Sequence, residues 1–274
     1  MPVITLLTDF GTHDAYVAIM KGVILKINPR ATIVDITHWI DSQDVRKAAY
    51  TIADSYRYFP SETVHIAVVD PGVGSRRAVV ALRLEGQTFL APDNGVLSLF
   101  LEKEPIEKIV RVENTDYFLK PVSRTFHGRD VFAPVGAHLS LGLPLHRLGA
   151  SIESDALVSL DLAQPRLNKD GQLSGIVIDI DRFGNLITNI DWPFVKRHYP
   201  AADQSSLRLA IGRQKLNRLS PTYDSVRPGT PLVLVGSRGL FEISVNQGSA
   251  ARFFAAQTGT SITVWIDSDH PQLP

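Results

Sequence analysis

The 274-residue sequence contains no cysteine. Disulfides, thiolate nucleophiles and cysteine metal sites are therefore excluded. It also has no excess charge of either sign, with 28 basic and 28 acidic residues. A nucleic-acid or membrane-surface binder that works through a broad basic field is disfavoured. No apolar run approaches the length of a membrane span. The opening MPVITLLTDFG has no basic segment ahead of its short apolar run and does not read as a signal peptide. The expectation is a soluble, cytoplasmic protein. Three further motifs are missing. There is no Walker A loop, no Gly-x-Gly-x-x-Gly after a strand, and no Gly-x-Ser-x-Gly elbow. Phosphate cradling, dinucleotide binding and serine-hydrolase chemistry lose their usual support.

The first half of the chain shows strands alternating with helices. Val3–Leu7, Thr32–Ile36 and Val64–Val69 are short β-branched or apolar runs. Between them, Ala15–Ile27 has apolar residues at helical spacing after a possible Asp14 cap, and a second helix capped by Ser42 or Asp44 runs to about Tyr58. Val79–Leu84 and Thr88–Ala91 form a strand pair around Glu85-Gly86. Gly95–Leu101 is a short helix, and Val131–Leu141 has a further helical pattern. This alternation predicts a largely parallel sheet covered on both faces. After about Ser159 the helical periodicity fades. Short alternating runs follow at Gly175–Ile180, Leu186–Ile190, Leu207–Ile211, Pro231–Val235, Phe241–Val245 and Ile262–Ile266, which predicts a small all-β sandwich or barrel. The expected division is an α/β domain over 1–160, a linker over 161–171 and a β domain over 172–274.

Acids recur just beyond strand ends in the first half: Asp9, Asp35, Asp70 and Asp93. Taken singly, each is a turn former. In an open parallel sheet, however, ligands bind at the carboxyl ends of the strands. Asp70 closes a buried strand and is followed by Pro71, Gly72, a second glycine, Arg76 and Arg77. His127 sits in a Phe-His-Gly-Arg-Asp loop ahead of a helix. An acid, a guanidinium and an imidazole could together orient and polarise a water. The same loops offer a rival use, in which Asp9, Asp14, Asp70, Asn94 and His127 would hold Mg²⁺ or Mn²⁺, although no pair has diagnostic metal-ligand spacing. In the second half, Asp181-Arg182-Phe183-Gly184-Asn185 offers an aromatic face beside an amide, or simply a hairpin turn. Ser237-Arg238-Gly239 offers a hydroxyl and a cation suited to a carboxylate, or again a hairpin turn.

Seven separated motifs, in one order over nearly the whole length, resemble the S-adenosylmethionine (SAM) hydroxide adenosyltransferase family, relatives of the fluorinases and chlorinases. They are TDFGTHDAYV (Thr8–Val17), VVDPGVGSRR (Val68–Arg77), APDNGVL (Ala91–Leu97), TFHGRDVFAPVGAHL (Thr125–Leu139), DRFGNLITNI (Asp181–Ile190), SPTY (Ser220–Tyr223) and GSRG (Gly236–Gly239). The resemblance implies a Rossmann-like α/β domain followed by a β-barrel, assembled as a homotrimer. The ligand would lie between the first domain of one subunit and the second domain of its neighbour. The implied reaction is SAM plus water giving adenosine and L-methionine, with no metal and no cofactor.

Carried over by motif, the resemblance implies catalysis by Asp70, Arg77 and His127, with Arg77 chosen over Arg76 on the match alone. Asp9 would hold the ribose hydroxyls, and Asp14 the methionine ammonium. Arg238 and Ser237 would take its carboxylate. Phe183 and Tyr223 would flank the adenine, and Asn185 would hydrogen-bond it. Halide-using relatives carry neutral residues at the places of Asp70 and His127 and a serine at Gly128, so water is the implied nucleophile. They also place a tryptophan where this chain has Gln43. Two other readings stand beside this one: a metal-dependent nucleotide phosphohydrolase, and a non-catalytic adenosine or SAM sensor.

Overall fold

Strands buried on both faces, flanked by helices buried along one stripe, place the first core on both sides of one sheet. The computed structural model describes residues 2–101 and 106–267. The chain divides between Asp161 and Leu162 into two compact units. Among the described residues, no helix is long and apolar enough to cross a membrane.

The first unit holds a six-stranded sheet in the order β2-β1-β3-β5-β4-β6. Its strands are β1 (Val3–Thr8), β2 (Thr32–Thr37), β3 (Val64–Val68), β4 (Val79–Leu84), β5 (Gln87–Pro92) and β6 (Ile106–Arg111). β1 runs parallel to β2 and β3, and β3 runs parallel to β5. β4 is antiparallel to both of its neighbours. Side chains alternate across the strands. Ile66 and Val68 of β3 join Met20 and Ile24 of α1 (Tyr16–Ile27) and Val135 of α4 (Ala133–Ser140) in one core cluster. Ala67, with the following Val69, joins Ala48 and Ile52 of α2 (Val45–Ser55) and Phe100 of α3 (Ser98–Leu101) in another. All five residues of β3 are buried. Each buried valine or isoleucine side chain here contributes roughly 1.5–3 kcal/mol relative to exposure.

The chain leaves β1 toward β2 on one side and returns to β3 on the other. The carboxyl ends of β1 and β3 therefore border a topological switch point, where an open α/β sheet leaves a crevice. Asp9 follows β1 there, and Asp70 follows β3 by two residues. The α2 cap is Asp44, whose Oδ1 accepts from the Lys47 amide at 2.8 Å. The expected Asp14 cap is not made. α1 is entered one residue later, with Ala15 at the cap position and no side-chain cap bond. Asp14 is thus outside the first turn, largely exposed and 3.7 Å from His13.

The second unit is built on antiparallel strands: β7 (Arg166–Leu167), β8 (Leu173–Ile180), β9 (Leu186–Asp191), β10 (Leu207–Ile211), β11 (Gln214–Asn217), β12 (Pro231–Val235), β13 (Leu240–Val245) and β14 (Ser261–Ile266). Their order is β11-β10-β14-β8-β9-β13-β12, with β7 on β8. The end strands approach each other, and the Ser220 amide just past β11 donates to the Val233 carbonyl of β12 at 2.8 Å. This nearly closed barrel leaves little free edge.

The β-barrel expected for the second unit is present, and between its strands it also carries two short helices, α5 (Trp192–His198) and α6 (Ala250–Phe253). α5 starts where Asp191 accepts from the Phe194 amide at 2.7 Å, with a proline in its first turn. The stretch read as a linker, 161–171, contains β7, which is paired with β8. The final residues of the expected β domain, 268–274, lie outside the described residues.

Candidate active site

Beyond β3, the Asn94 side-chain amide donates to the Val69 carbonyl at 2.8 Å and fixes the strand end. Pro71 and Gly72 then turn the chain, with the Val73 amide donating to the Asp70 carbonyl at 3.2 Å and the Ser75 amide to the Gly72 carbonyl at 3.1 Å. The turn folds Arg77 back onto the acid that began it. Arg77 Nε donates to Asp70 Oδ1 at 2.9 Å, and Nη2 donates to Oδ2. These side chains are only 10% and 4% exposed. A two-pronged guanidinium–carboxylate pair of this kind fixes both partners in orientation. Arg76, one residue earlier, is exposed.

The same Nη2 donates to His127 Nδ1 at 3.0 Å. A guanidinium has only donors, so Nδ1 must accept, and a neutral His127 ring then carries its proton on Nε2. Burial holds the His127 pKa below its ordinary value, and the adjacent Arg77 charge adds to that effect. His127 precedes a single π-helical turn, Gly128–Phe132, which runs into α4. Such turns interrupt an α-helix at functional positions more often than elsewhere. The loop is tied down by buried Asp130, whose carboxylate accepts from the Ser123 amide at 2.7 Å and from Arg129 Nε at 2.6 Å. The two loops carrying the trio touch at Gly74. Its φ is +75°, and a Cβ there would lie 2.2 Å from the Arg124 carbonyl oxygen.

Asp70 and His127 line a cavity of about 370 Å³ together with Asp9 and Gln43. Asp9 Oδ2 accepts from the Gln43 amide at 2.9 Å. The cavity's apolar wall is an aromatic trio that the sequence reading did not single out: Phe10, Tyr16 and Phe126. Their ring centroids are 5.0–6.0 Å apart in tilted and edge-on contacts. The signal was present, since Phe10 and Phe126 adjoin Asp9 and His127 in sequence. The rival metal set is not gathered. The Asn94 amide is used by Val69, Asp14 does not line this cavity, and both Asp70 oxygens face Arg77. Among the described residues, no group of three or more His, Asp or Glu side chains is arranged to hold a metal ion.

The barrel unit has a cavity of its own, of about 940 Å³, lined by Phe183, Asn185, Tyr223, Ser237 and Glu242 among others. Asp181 builds its rim. Its Oδ1 accepts from the Phe183 and Asn185 amides at 2.8 and 2.9 Å, and its Oδ2 accepts from Asn185 Nδ2 at 2.9 Å. The turn leaves Phe183 77% exposed. Tyr223 donates its hydroxyl to Glu242 Oε1 at 2.6 Å. That bond, with partial burial, pushes the phenol pKa up to about 12. Glu242 also accepts from the Ser244 hydroxyl at 2.9 Å, a buried acid that sequence reasoning passed over. Arg238 Nη1 donates to buried Asp179 at 2.8 Å, and Arg238 does not line the cavity. Of the ten sequence candidates, then, three share the first cavity with Arg77 directly behind them, and four share the second. Asp14 and Arg238 line neither.

Comparison with known proteins adds an independent line. Residues 4–149 match the family model of the SAM hydroxide adenosyltransferase N-terminal domain, and residues 175–263 match that of the C-terminal domain. A curated relative from Salinispora arenicola, an (R)-S-adenosyl-L-methionine hydrolase, is 36% identical over 264 residues, covering 96% of this chain and 97% of the relative. A fluorinase from an Actinoplanes species is 31% identical over 290 residues, covering 96% and 97%. A crystal structure of an uncharacterized conserved protein from Thermotoga maritima superimposes with a TM-score of 0.88 at 37% identity, covering 95% of this chain and 99% of that one.

Proposed function

The chain belongs to the SAM hydroxide adenosyltransferase family, and we propose that it hydrolyses S-adenosyl-L-methionine to adenosine and L-methionine. The observation that carries this reading is the Asp70–Arg77–His127 contact set on the wall of a cavity at the sheet's switch point. The Salinispora arenicola relative is named for hydrolysis of the (R) sulfonium epimer, and that epimer is the proposed substrate here. No observation favours the phosphohydrolase or the sensor.

In the reaction, the water oxygen bonds to ribose C5′ as the C5′–sulfur bond breaks. The bonding pair goes to sulfur, which leaves as the neutral thioether of methionine. Sulfonium is already a good leaving group, so the task is to hold and activate water, whose pKa is near 15.7 in bulk. Positioning contributes roughly 7–11 kcal/mol in well-aligned cases, and a placed acid–base group about 10²–10⁴-fold. The hydrogen-bond pattern supports a division of labour. Asp70 is the only anion of the trio and accepts a water proton. His127, its ring fixed by the Arg77 bond at Nδ1, borders the water's position from the later loop and helps to orient it. Arg77 holds both in register.

Asp9 holds the ribose hydroxyls in this reading, and Phe183, Tyr223 and Asn185 bind the adenine. Ser237, Arg238 and Asp14 serve the methionine end. For Arg238, this role requires its guanidinium to act from its Asp179 pairing. The assembly is a cytoplasmic, metal-independent homotrimer with its sites at subunit interfaces. Incubation of purified protein with the separated SAM epimers, with and without chelator, tests the reading. Equal release of adenosine and methionine from the (R) epimer, unaffected by chelation, is expected. No adenosine from either epimer would overturn it.

A further inference from the structure

Next to the cavity, a chain of polar side chains runs from the sheet core to the surface without entering the reaction described above. At its inner end is Thr8, the last residue of β1 and fully buried. Its hydroxyl lies 2.8 Å from Nδ1 of His38, which is 4% exposed. His38 Nε2 lies 3.1 Å from Asp35 Oδ1, without the alignment of a full hydrogen bond. Asp35 Oδ2 accepts from Lys21 Nζ of α1 at 2.6 Å. Burying a histidine beside a threonine hydroxyl has a desolvation cost that an apolar pair would avoid. The local geometry shows what the arrangement secures.

The Thr8 hydroxyl also accepts from the Phe10 amide at 3.2 Å. The His38 carbonyl accepts from the Gly11 amide at 2.8 Å, at a glycine with φ of +64°. One histidine therefore grips both sides of Asp9, through Thr8 with its side chain and through Gly11 with its backbone. The β1–β2 register shifts between Leu6 and Leu7, where Asp35 and Thr37 are the successive partners. This irregularity directly precedes His38, and such shifts re-aim side chains at the ends of strands.

We infer that His38 is a positioning residue for Asp9, clamping the Asp9–Gly11 turn so that the carboxylate faces the cavity in a fixed place, with Thr8 as its intermediary. This rests on the reading of Asp9 as the ribose-binding acid. A pre-placed acceptor avoids the ordering cost otherwise incurred when the hydroxyls arrive. The role is therefore specific to ligands that carry those hydroxyls.

The test is calorimetric binding of adenosine and of 2′,3′-dideoxyadenosine to the full protein. Wild type, His38→Ala, His38→Asn, Thr8→Val and Asp9→Asn are compared. Wild type favours adenosine. His38→Ala and Thr8→Val each lose about tenfold of that preference, the scale of one hydrogen bond to a charged group. His38→Asn, whose Oδ1 stands near the place of Nδ1, retains most of it. A general structural loss would weaken both nucleosides alike, so unchanged preference in His38→Ala and Thr8→Val, with preference abolished in Asp9→Asn, overturns the inference. Wild-type preference in Asp9→Asn removes Asp9 from the ribose and overturns the reading beneath it as well.

Discussion

Arg77, seven positions after Asp70, closes back onto it, giving both carboxylate oxygens a donor, and donates from the same guanidinium to His127. Lysine has one ammonium and cannot span three acceptor atoms in a plane. Arg77→Lys is therefore expected to lower kcat by about 10²-fold or more while KM changes little. Steady-state kinetics with SAM would check this. A loss confined to KM would place Arg77 in binding instead.

The protonation state of His127 follows from the same contact. Burial, and then the Arg77 charge, lower its pKa from the ordinary value of 6.5. The neutral ring accepts the Arg77 proton, so activity is present above the His127 pKa and lost as pH falls through it. The acid limb of kcat/KM is expected below pH 6.5. NMR titration of His127 should show its transition moving upward in Arg77→Met, where the lowering charge is gone.

Gly74 is where the Asp70 turn meets the chain leading to His127. An alanine there would combine a left-handed φ with a Cβ 2.2 Å from the Arg124 carbonyl oxygen. Only glycine takes that conformation and that approach without strain. Gly74→Ala is expected to lower kcat by about tenfold or more through misplacement of the trio. Thermal melting and kinetics measured side by side would show activity falling while the protein remains folded at assay temperature.

Phe183 is largely exposed, so its truncation should change stability by no more than about 0.5 kcal/mol. Stacking on a base is worth about 1–3 kcal/mol. Phe183→Ala is thus expected to raise KM for SAM about tenfold or more while leaving the melting curve in place. Unchanged KM would remove the aromatic from the adenine.

His65 gives a stability signature unrelated to catalysis. It is buried in the sheet between Thr5 and Gln87, and burial lowers its pKa to about 4. Its folded-state value lies below the unfolded value of 6.5. Stability is therefore complete above pH 6.5 and declines as pH falls toward 4, by about 3 kcal/mol from this group. Urea unfolding of wild type across that range should show the decline, and His65→Gln should flatten it.

Much of this fold was legible because its signals are local. β3, β10 and β12 follow from branched apolar runs, and α2 follows from an aspartate ahead of an amphipathic run. What escaped was short or masked by its context. β11 is four residues with one buried side chain, and α5 begins at an Asp-Trp-Pro signal inside a β-rich stretch. Asp14 has a capping residue type but stands one position too early. The separate members of the trio were visible as residue types at strand and loop ends. Their meeting was not, because sequence distance carries no information about how far a turn folds back. His38 was invisible for a related reason: its importance lies in two hydrogen bonds to residues about thirty positions away.

The most direct measurement is mass analysis of adenosine formed from SAM in ¹⁸O-labelled water. Label at the 5′ oxygen is expected in the wild-type product, with that labelled turnover suppressed in Asp70→Ala and His127→Ala proteins that still bind substrate. Adenosine without label, or labelled turnover near the wild-type rate in both variants, would contradict attack at C5′ by a water held at the Asp70–Arg77–His127 trio.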